Sequence, residues 1–313
     1  MNIMLPKLGK LLENWLLLPH KYGLLFWIGG FVAWIWRCGW SYFWEWFQKL
    51  TNEYIILLLL GVILVIASSA NMLKRFDLFI LRLLEGYNWP YWLKMWLIKK
   101  KEKWYFSKKE NRLKKLSEKF YKNLQKMTIK EREEYAKLDS IFMYLPDLEE
   151  RMPTKLGNIL RTSEIYPVDR YGLDIFVCFP RLWFVLPREV KNDIVKARED
   201  LDNSALIWIW HFLFMIWGIF TLWAIPLGFI LMVLGYRWAL QAAEIYAVLI
   251  EASFDLYRPL LYQELRWPLP TNPEEEKEKG EELTTYLCRG FSPSKLDFVS
   301  IDLKDTKSND KIR

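Results

Sequence analysis

Residues 205–236 read ALIWIWHFLFMIWGIFTLWAIPLGFILMVLGY, 32 residues without an acidic or strongly basic side chain. A bilayer core of about 30 Å is crossed by about 20 apolar residues in helical form, so this run is too long for one span and fits two. Pro226 suits the first turn of a new helix, where its missing N–H costs nothing, and Trp223 just before it suits a membrane interface. The reading is one helix from Ala205 to Trp223, a tight turn, and a second helix from Pro226 onward. The alternative is a single helix kinked at Pro226, because proline is tolerated inside membrane helices.

The second helix continues past the first charges. From Trp238 to Leu256 most positions stay apolar, and the polar ones fall on one line: Arg237, Glu244, Glu251 and Arg258 are spaced by seven, with Gln241 and Asp255 between them. Helical geometry puts all six on one face. Such a stripe fits a helix that leaves the membrane with one solvated side. It also fits the wall of a water-filled path or of a helix-bundle interior.

The rest of the composition supports a membrane protein with a charged module. Of 313 residues, 52% are hydrophobic and 18 are Trp, yet 26% are charged, so charge and apolarity must be segregated along the chain. The net charge of +7 points to an anionic membrane surface, not to nucleic acid, because nothing in the chain resembles an RNA-reading module. Cys38, Cys178 and Cys288 show no CxxC spacing and imply neither a disulfide framework nor a zinc site. The opening, Met1 to His20, reads as an interfacial helix and not as a signal peptide: its apolar group is short, is interrupted by Glu13 and Asn14, and lacks a cleavage site.

A first span begins near Tyr22. Only 15 uncharged residues separate Lys21 from Arg37, so either the helix extends to about Trp44 with Arg37 snorkelling outward, or the span is thin. A second span, Tyr54 to Leu73, is 20 residues without a charge. Gly86 should end a further amphipathic helix, and Trp89-Pro90 should open a Trp-rich helix lying on the membrane. Lys99 to Lys130 then holds 13 Lys or Arg against three Glu, which the positive-inside rule makes cytoplasmic, with Lys99, Lys100 and Lys101 facing lipid. Four spans place both termini and this central region on the cytoplasmic side.

Within that region Ser107 with Glu110, and Thr128 with Glu131, have the spacing of capping boxes. They predict a helix with Leu113, Leu116, Phe120, Leu124 and Met127 inward, then a shorter one with Tyr135 and Leu138 inward. Met152-Pro153-Thr154 opens another helix, which Pro167 should end. Asp169, Arg170 and Asp174 read as turn-stabilising residues. Ile175 to Pro187 is apolar but too short to span and holds Pro180 and Arg181. It reads as a wedge at the interface or under the bundle, with a re-entrant segment as the alternative. Beyond Tyr262 the prolines end the helical part, Glu274 to Leu283 reads as a charged linker, and the tail reads as disordered apart from a docking motif at Leu296 to Leu303.

Pro153-Thr154-Lys155-Leu156-Gly157-Asn158, Arg170-Tyr171-Gly172-Leu173-Asp174, and Leu83-Leu84-Glu85-Gly86-Tyr87 with Trp89-Pro90 together resemble segments of a group of uncharacterised bacterial multi-pass membrane proteins. The resemblance covers about a tenth of the chain. It implies a bacterial inner-membrane protein and transfers no activity and no site.

The expected architecture is therefore an all-α integral membrane protein of about four transmembrane helices, interfacial helices and a cytosolic helical module. Its expected divisions are an N-terminal membrane part (1–98), a basic module with the wedge (99–204), a second hairpin with the striped helix (205–262) and a tail (263–313). No catalytic, metal-ligand or cofactor pattern is found, so the chain does not read as an enzyme. The leading expectation is a structural or interaction protein that docks a membrane-complex partner or anionic lipid headgroups through the basic module. The alternative is a homo-oligomeric channel or transporter, with the stripe as its path and His211 and Arg37 as accessory charges. A stripe that pairs with the cytosolic helices favours the first reading, and a stripe that faces a cavity favours the second.

Overall fold

The computed structural model describes residues 20–123, 127–291 and 298–299. It is 85% helix, with no strand among the described residues. In order the helices are α1 (His20–Cys38), α2 (Trp40–Gln48), α3 (Asn52–Arg75), α4 (Asp77–Glu85), α5 (Tyr91–Lys101), α6 (Ser107–Asn123), α7 (Ile129–Met143), α8 (Lys155–Tyr171), α9 (Ile175–Val185), α10 (Arg188–Phe214), α11 (Ala224–Glu264) and α12 (Pro273–Arg289). The chain forms two compact units. One takes the chain up to Trp89 together with Arg198–Ala243, the other Pro90–Ala197 together with the chain from Glu244. The expected N-terminal interfacial helix, with its Lys7 and Lys10, lies outside the described residues.

In the first unit, α3 carries Glu53 in its first turn and Lys74 and Arg75 in its last, charges that complement the helix dipole. Between them only Ile66 and Ala70 are buried, while Leu57 and Leu64 are 66% and 65% exposed. Burying one such side chain contributes about 1.5–3 kcal/mol, so α3 presents a large apolar surface that the described protein does not cover. Helix α1 packs against α3, with Trp27 Nε1 donating to Ser69 Oγ at 3.1 Å. Phe26 meets the rings of Trp210 and Trp217 at centroid distances of 5.2 and 5.1 Å. Gly30 makes room for the second ring: a Cβ there would lie 2.4 Å from Trp217. Helix α1 stops at Cys38, short of Trp44, because the chain turns at Gly39, whose φ is +89°. Helix α2 follows with no buried residue and a ladder of rings from Trp40 to Phe47.

The 205–236 run is broken as its composition predicts. Helix α10 tightens into a 3-10 turn over Met215–Ile219, the chain turns, and α11 starts at Ala224 with Pro226 in its first turn. The kinked single helix is therefore not what forms. Across this hairpin, a Cβ on Gly228 would approach the His211 carbonyl to 3.1 Å and one on Gly235 the Trp208 nitrogen to 3.1 Å, the close backbone approach that small residues allow. Among the described residues two helices, α3 and α11, are long and apolar enough to cross a membrane. The apolar part of α1, Tyr22–Cys38, is shorter, and α10 is charged over its first half.

In the second unit α5 runs through a π-helical turn, Glu102–Phe106, directly into α6. Ser107 thus sits inside helix and caps nothing. No glycine or proline separates Lys101 from Ser107, and extending a formed helix costs less than nucleating a new one. Thr128 does cap α7: its Oγ1 accepts from Glu131 N at 3.3 Å, and Thr128 N donates to Glu131 Oε2 at 3.1 Å. Helices α6 and α7 close over Leu116, Met127 and Leu138, with Phe120 stacked on Tyr135 at 4.7 Å. Leu124, expected in this core, lies outside the described residues.

Thr154 caps α8 by accepting from Gly157 N at 2.9 Å. The helix passes through Pro167 and ends at Gly172, whose φ is +67°. Proline near the last turn removes one hydrogen bond of the helix, and Pro180 likewise sits inside α9, at its middle. The segment read as a charged linker is helix α12. Asn272 Oδ1 accepts from Glu275 N at 2.9 Å, Pro273 opens the helix, and Glu274, Glu275 and Glu276 complement its dipole. Helix α12 lies on the end of α8 with no space to spare: a Cβ on Gly280 would fall 1.7 Å from the Tyr171 carbonyl oxygen. Thr284 locks the contact, donating to Gly172 O at 3.0 Å and accepting from Asp174 N at 3.2 Å. Leu173, Cys178, Leu182, Phe254, Leu261 and Leu283 form the core below.

Two expectations follow. Gly280→Ala should destabilise the second unit by about 1–3 kcal/mol or more, since backbone opposes the added methyl, while Gly61→Ala, with open space around it, should not. Thermal unfolding of the two variants checks this. Glu131, hydrogen-bonded by Lys119 and by Thr128, is held down to about 2. Its depressed carboxyl therefore stabilises the α6–α7 hairpin above the ordinary carboxylate range and ceases to do so as pH falls toward 2. Protection of the α7 amides in hydrogen exchange should decline over that window, and Glu131→Gln should flatten the decline.

Candidate functional site

The candidate site is the polar face of α11. Arg237 and Gln241 belong to the first unit and are exposed. Glu244, Glu251, Asp255 and Arg258 belong to the second. There the stripe meets partners that periodicity does not reveal. Lys155, in the first turn of α8, pairs with Glu244 at 3.1 Å. Tyr144 stands near Glu251 and Glu244, and its phenol is pushed above its ordinary range by burial and then by those two negative charges.

Asp255 holds the most closely built part. Its Oδ1 accepts from Tyr171 Oη at 2.5 Å and from Tyr166 Oη at 3.0 Å, while Oδ2 lies 3.2 Å from Tyr166 Oη. Arg170 Nη1 donates to Tyr166 Oη at 2.8 Å. Burial first, and the Asp255 hydrogen bond second, raise the pKa of both phenols, so they remain protonated donors at neutral pH. One turn on, Arg258 donates from Nε to Glu276 Oε1 of α12 at 2.6 Å and lies 4.0 Å over the Tyr171 ring. Tyr166, Arg170 and Tyr171 follow one another at four- and one-residue steps along α8, so that helix presents two phenols and a guanidinium toward one carboxylate.

Beside this cluster is a groove of about 690 Å³, lined by Tyr166 and Arg170 together with Asp147, Glu150, Arg161 and Asp174. Its cations are engaged: Arg161 bonds Glu150 and, at 3.0 Å, Glu164. Asp174 caps α9 by accepting from Phe176 N at 2.8 Å and Val177 N at 3.1 Å, the turn role its sequence position suggested. Asp169 and Arg170 are exposed, with Arg170 in the Tyr166 network.

The accessory residues stand apart from this cluster. His211 Nδ1 contacts the carbonyl of Ile207 on its own helix at 2.7 Å, and not a neighbouring helix. Arg37 is exposed in the last turn of α1. Lys99 and Lys100 are exposed, Lys100 with its ammonium 4.7 Å over Trp96, whereas Lys101 donates to the Pro153 carbonyl at 2.6 Å and so ties α5 to the start of α8. Among the described residues no group of His, Cys, Asp and Glu is placed to hold a metal ion.

At Glu244, Asp255 and Arg258 the arrangement is chemically one of satisfied polar groups, whereas half-buried Glu251 has neither an ion pair nor a hydrogen bond among the described residues. Each engaged charge has an opposite charge or a hydrogen-bond donor at contact distance, which is the condition for keeping carboxylates in half-buried positions. Comparison with known proteins gives no match to a family model, to a curated protein or to a solved structure.

Asp255→Asn should weaken two hydrogen bonds to an ionised acceptor, each worth about 1.5–3 kcal/mol. Tyr171→Phe should incur part of the same loss, so the double variant should be less destabilised than the sum of the singles. Thermal unfolding of the four proteins in detergent measures that coupling.

Proposed function

We propose that the chain is a membrane-embedded structural or interaction protein that anchors a basic cytosolic helical module, through which it docks a partner protein or anionic lipid headgroups. The observation that carries this reading is the engagement of the stripe: Glu244 by Lys155, Asp255 by Tyr166 and Tyr171, Arg258 by Glu276. These bonds fix the distal part of α11 to α8 and α12 within the second unit. Such a helix serves as a mount, and its polar face as the seat on which the module is fastened.

Membrane embedding is supported by the uncovered apolar surface of α3 and by the length of α11. A 41-residue helix is about 60 Å long, twice a bilayer core, so its first 20 residues or so suffice to cross and the rest stands outside. In this reading there are four spans, the charge distribution of the loops favours a cytoplasmic side for both termini and the module, and the resemblance to bacterial multi-pass proteins favours a bacterial inner membrane. Docking rests on α5 and α6, where Lys99 and Lys100 flank exposed Trp92 and Trp96. No cofactor and no catalysis are part of the proposal.

The competing homo-oligomeric channel requires the same stripe to line a path. Replacing Glu244 and Glu251 together with Gln separates the two. On the structural reading, ion flux through proteoliposomes stays at the empty-vesicle level before and after the change, while limited proteolysis between α8 and α11 becomes faster. A wild-type flux that the double variant alters would overturn the structural reading.

A further inference from the structure

Helix α9 is apolar on two sides, and only one of them is packed. Cys178 and Leu182 are fully buried in the core with Phe254 and Leu261. On the other side Phe176, Pro180 and Phe184 recur every four residues, so they share a face, and the two rings are 70% and 82% exposed. A helix that is apolar all round is normally enclosed, so this uncovered face needs a cover of its own. Eleven residues make about 16 Å of helix, too short to cross a bilayer, which leaves a helix lying along an interface.

The charges around the face indicate what covers it. Arg181, on the face itself, donates from Nη1 to the Val177 carbonyl at 2.5 Å, and Lys191 reaches back to the Phe184 carbonyl at 3.3 Å. Arg188 stands exposed just beyond the helix end. Against these three cations stand two exposed carboxylates on α10, Glu189 and Asp193, and Asp174 is occupied as the helix cap. Exposed phenylalanines ringed by cations complement acyl chains bordered by anionic headgroups.

We infer that the Phe176–Pro180–Phe184 face of α9 is a lipid-docking surface that inserts its two rings among acyl chains while Arg181, Arg188 and Lys191 bind anionic headgroups. This rests on the membrane reading above, and it adds a second lipid contact to that of α5. The phosphate-bearing surface is that of a bilayer, and a protein cover is the outcome that would refute it.

The test is photo-crosslinking of the full chain in phosphatidylcholine vesicles with and without phosphatidylglycerol. The photoreactive phenylalanine analogue p-benzoylphenylalanine is placed at Phe184 in one protein and at Leu57 of α3 in another. The expected result is a lipid adduct from both positions. The Phe184 adduct alone should depend on phosphatidylglycerol and fall about fivefold with Arg181→Gln, the effect of one basic charge at an anionic surface. An adduct from Leu57 with none from Phe184 would sink the α9 inference and leave the membrane reading standing. A protein adduct from Phe184 would replace the lipid by a second copy of the chain. Absence of lipid adducts at both positions would remove the membrane reading, and the inference with it.

Discussion

An unbroken helix of 41 residues, α11, imposes the constraint from which most of the remaining structure follows. Its length is about twice the thickness of a bilayer core, and its character changes along its course. The sequence changes accordingly. Ala224 to Tyr236 has no charge, and from Arg237 polar groups recur on one face at steps of three, four or seven residues. Where that face enters the second unit, α8 and α12 supply partners to Glu244, Asp255 and Arg258, while half-buried Glu251 has none among the described residues. The two helices can do so only because Gly172 and Gly280 let them meet backbone to backbone. An added methyl at either glycine would push α12 away from Tyr171, and with it Glu276 from Arg258.

The stripe itself was legible because a helical period needs only local sequence to be read. Its partners were not. Tyr166 and Tyr171 lie 89 and 84 residues from Asp255, and nothing in the Arg170-Tyr171-Gly172 segment distinguishes phenols that bond a carboxylate from phenols that pack. The capping signals behaved according to their surroundings. Thr128 and Thr154 follow turns or proline and cap as their spacing predicts. Ser107 has the same spacing but lies within a stretch without a breaker, and the helix simply runs through it. Prolines misled in the opposite direction, since buried Pro167 lies inside α8 and exposed Pro180 inside α9, whose opposite side, Cys178 and Leu182, is packed.

Composition was the weaker guide at α12. A segment with seven acidic and basic residues between Glu274 and Glu281 looks like a solvated linker when only charge is counted. Asn272-Pro273 followed by three glutamates is nonetheless a helix start written in the sequence, and Leu283 and Gly280 supply the side that packs. Uncharged length counts toward crossing only if the helix continues through it. Gly39 ends α1 after Cys38, and the charged first half of α10 belongs to the same helix as its apolar second half.

The choice between a mount and a pore turns on hydrogen-bond capacity. A carboxylate that conducts or relays must exchange its partners for water or ions at little cost, whereas one that fastens must have its partners in place. Asp255 already receives two phenolic hydrogens, and both phenols are shifted toward staying protonated. Arg258 is sandwiched between Glu276 and the Tyr171 ring, and Glu244 has Lys155. Releasing any of these groups to a passing ion would leave its partner uncompensated in a half-buried place, a cost of about 1–3 kcal/mol for each unpaired group and more for a charge. A conduction path built along these residues would therefore carry a barrier at Glu244, Asp255 and Arg258, whereas a helix that holds a module in place gains rigidity from the same bonds.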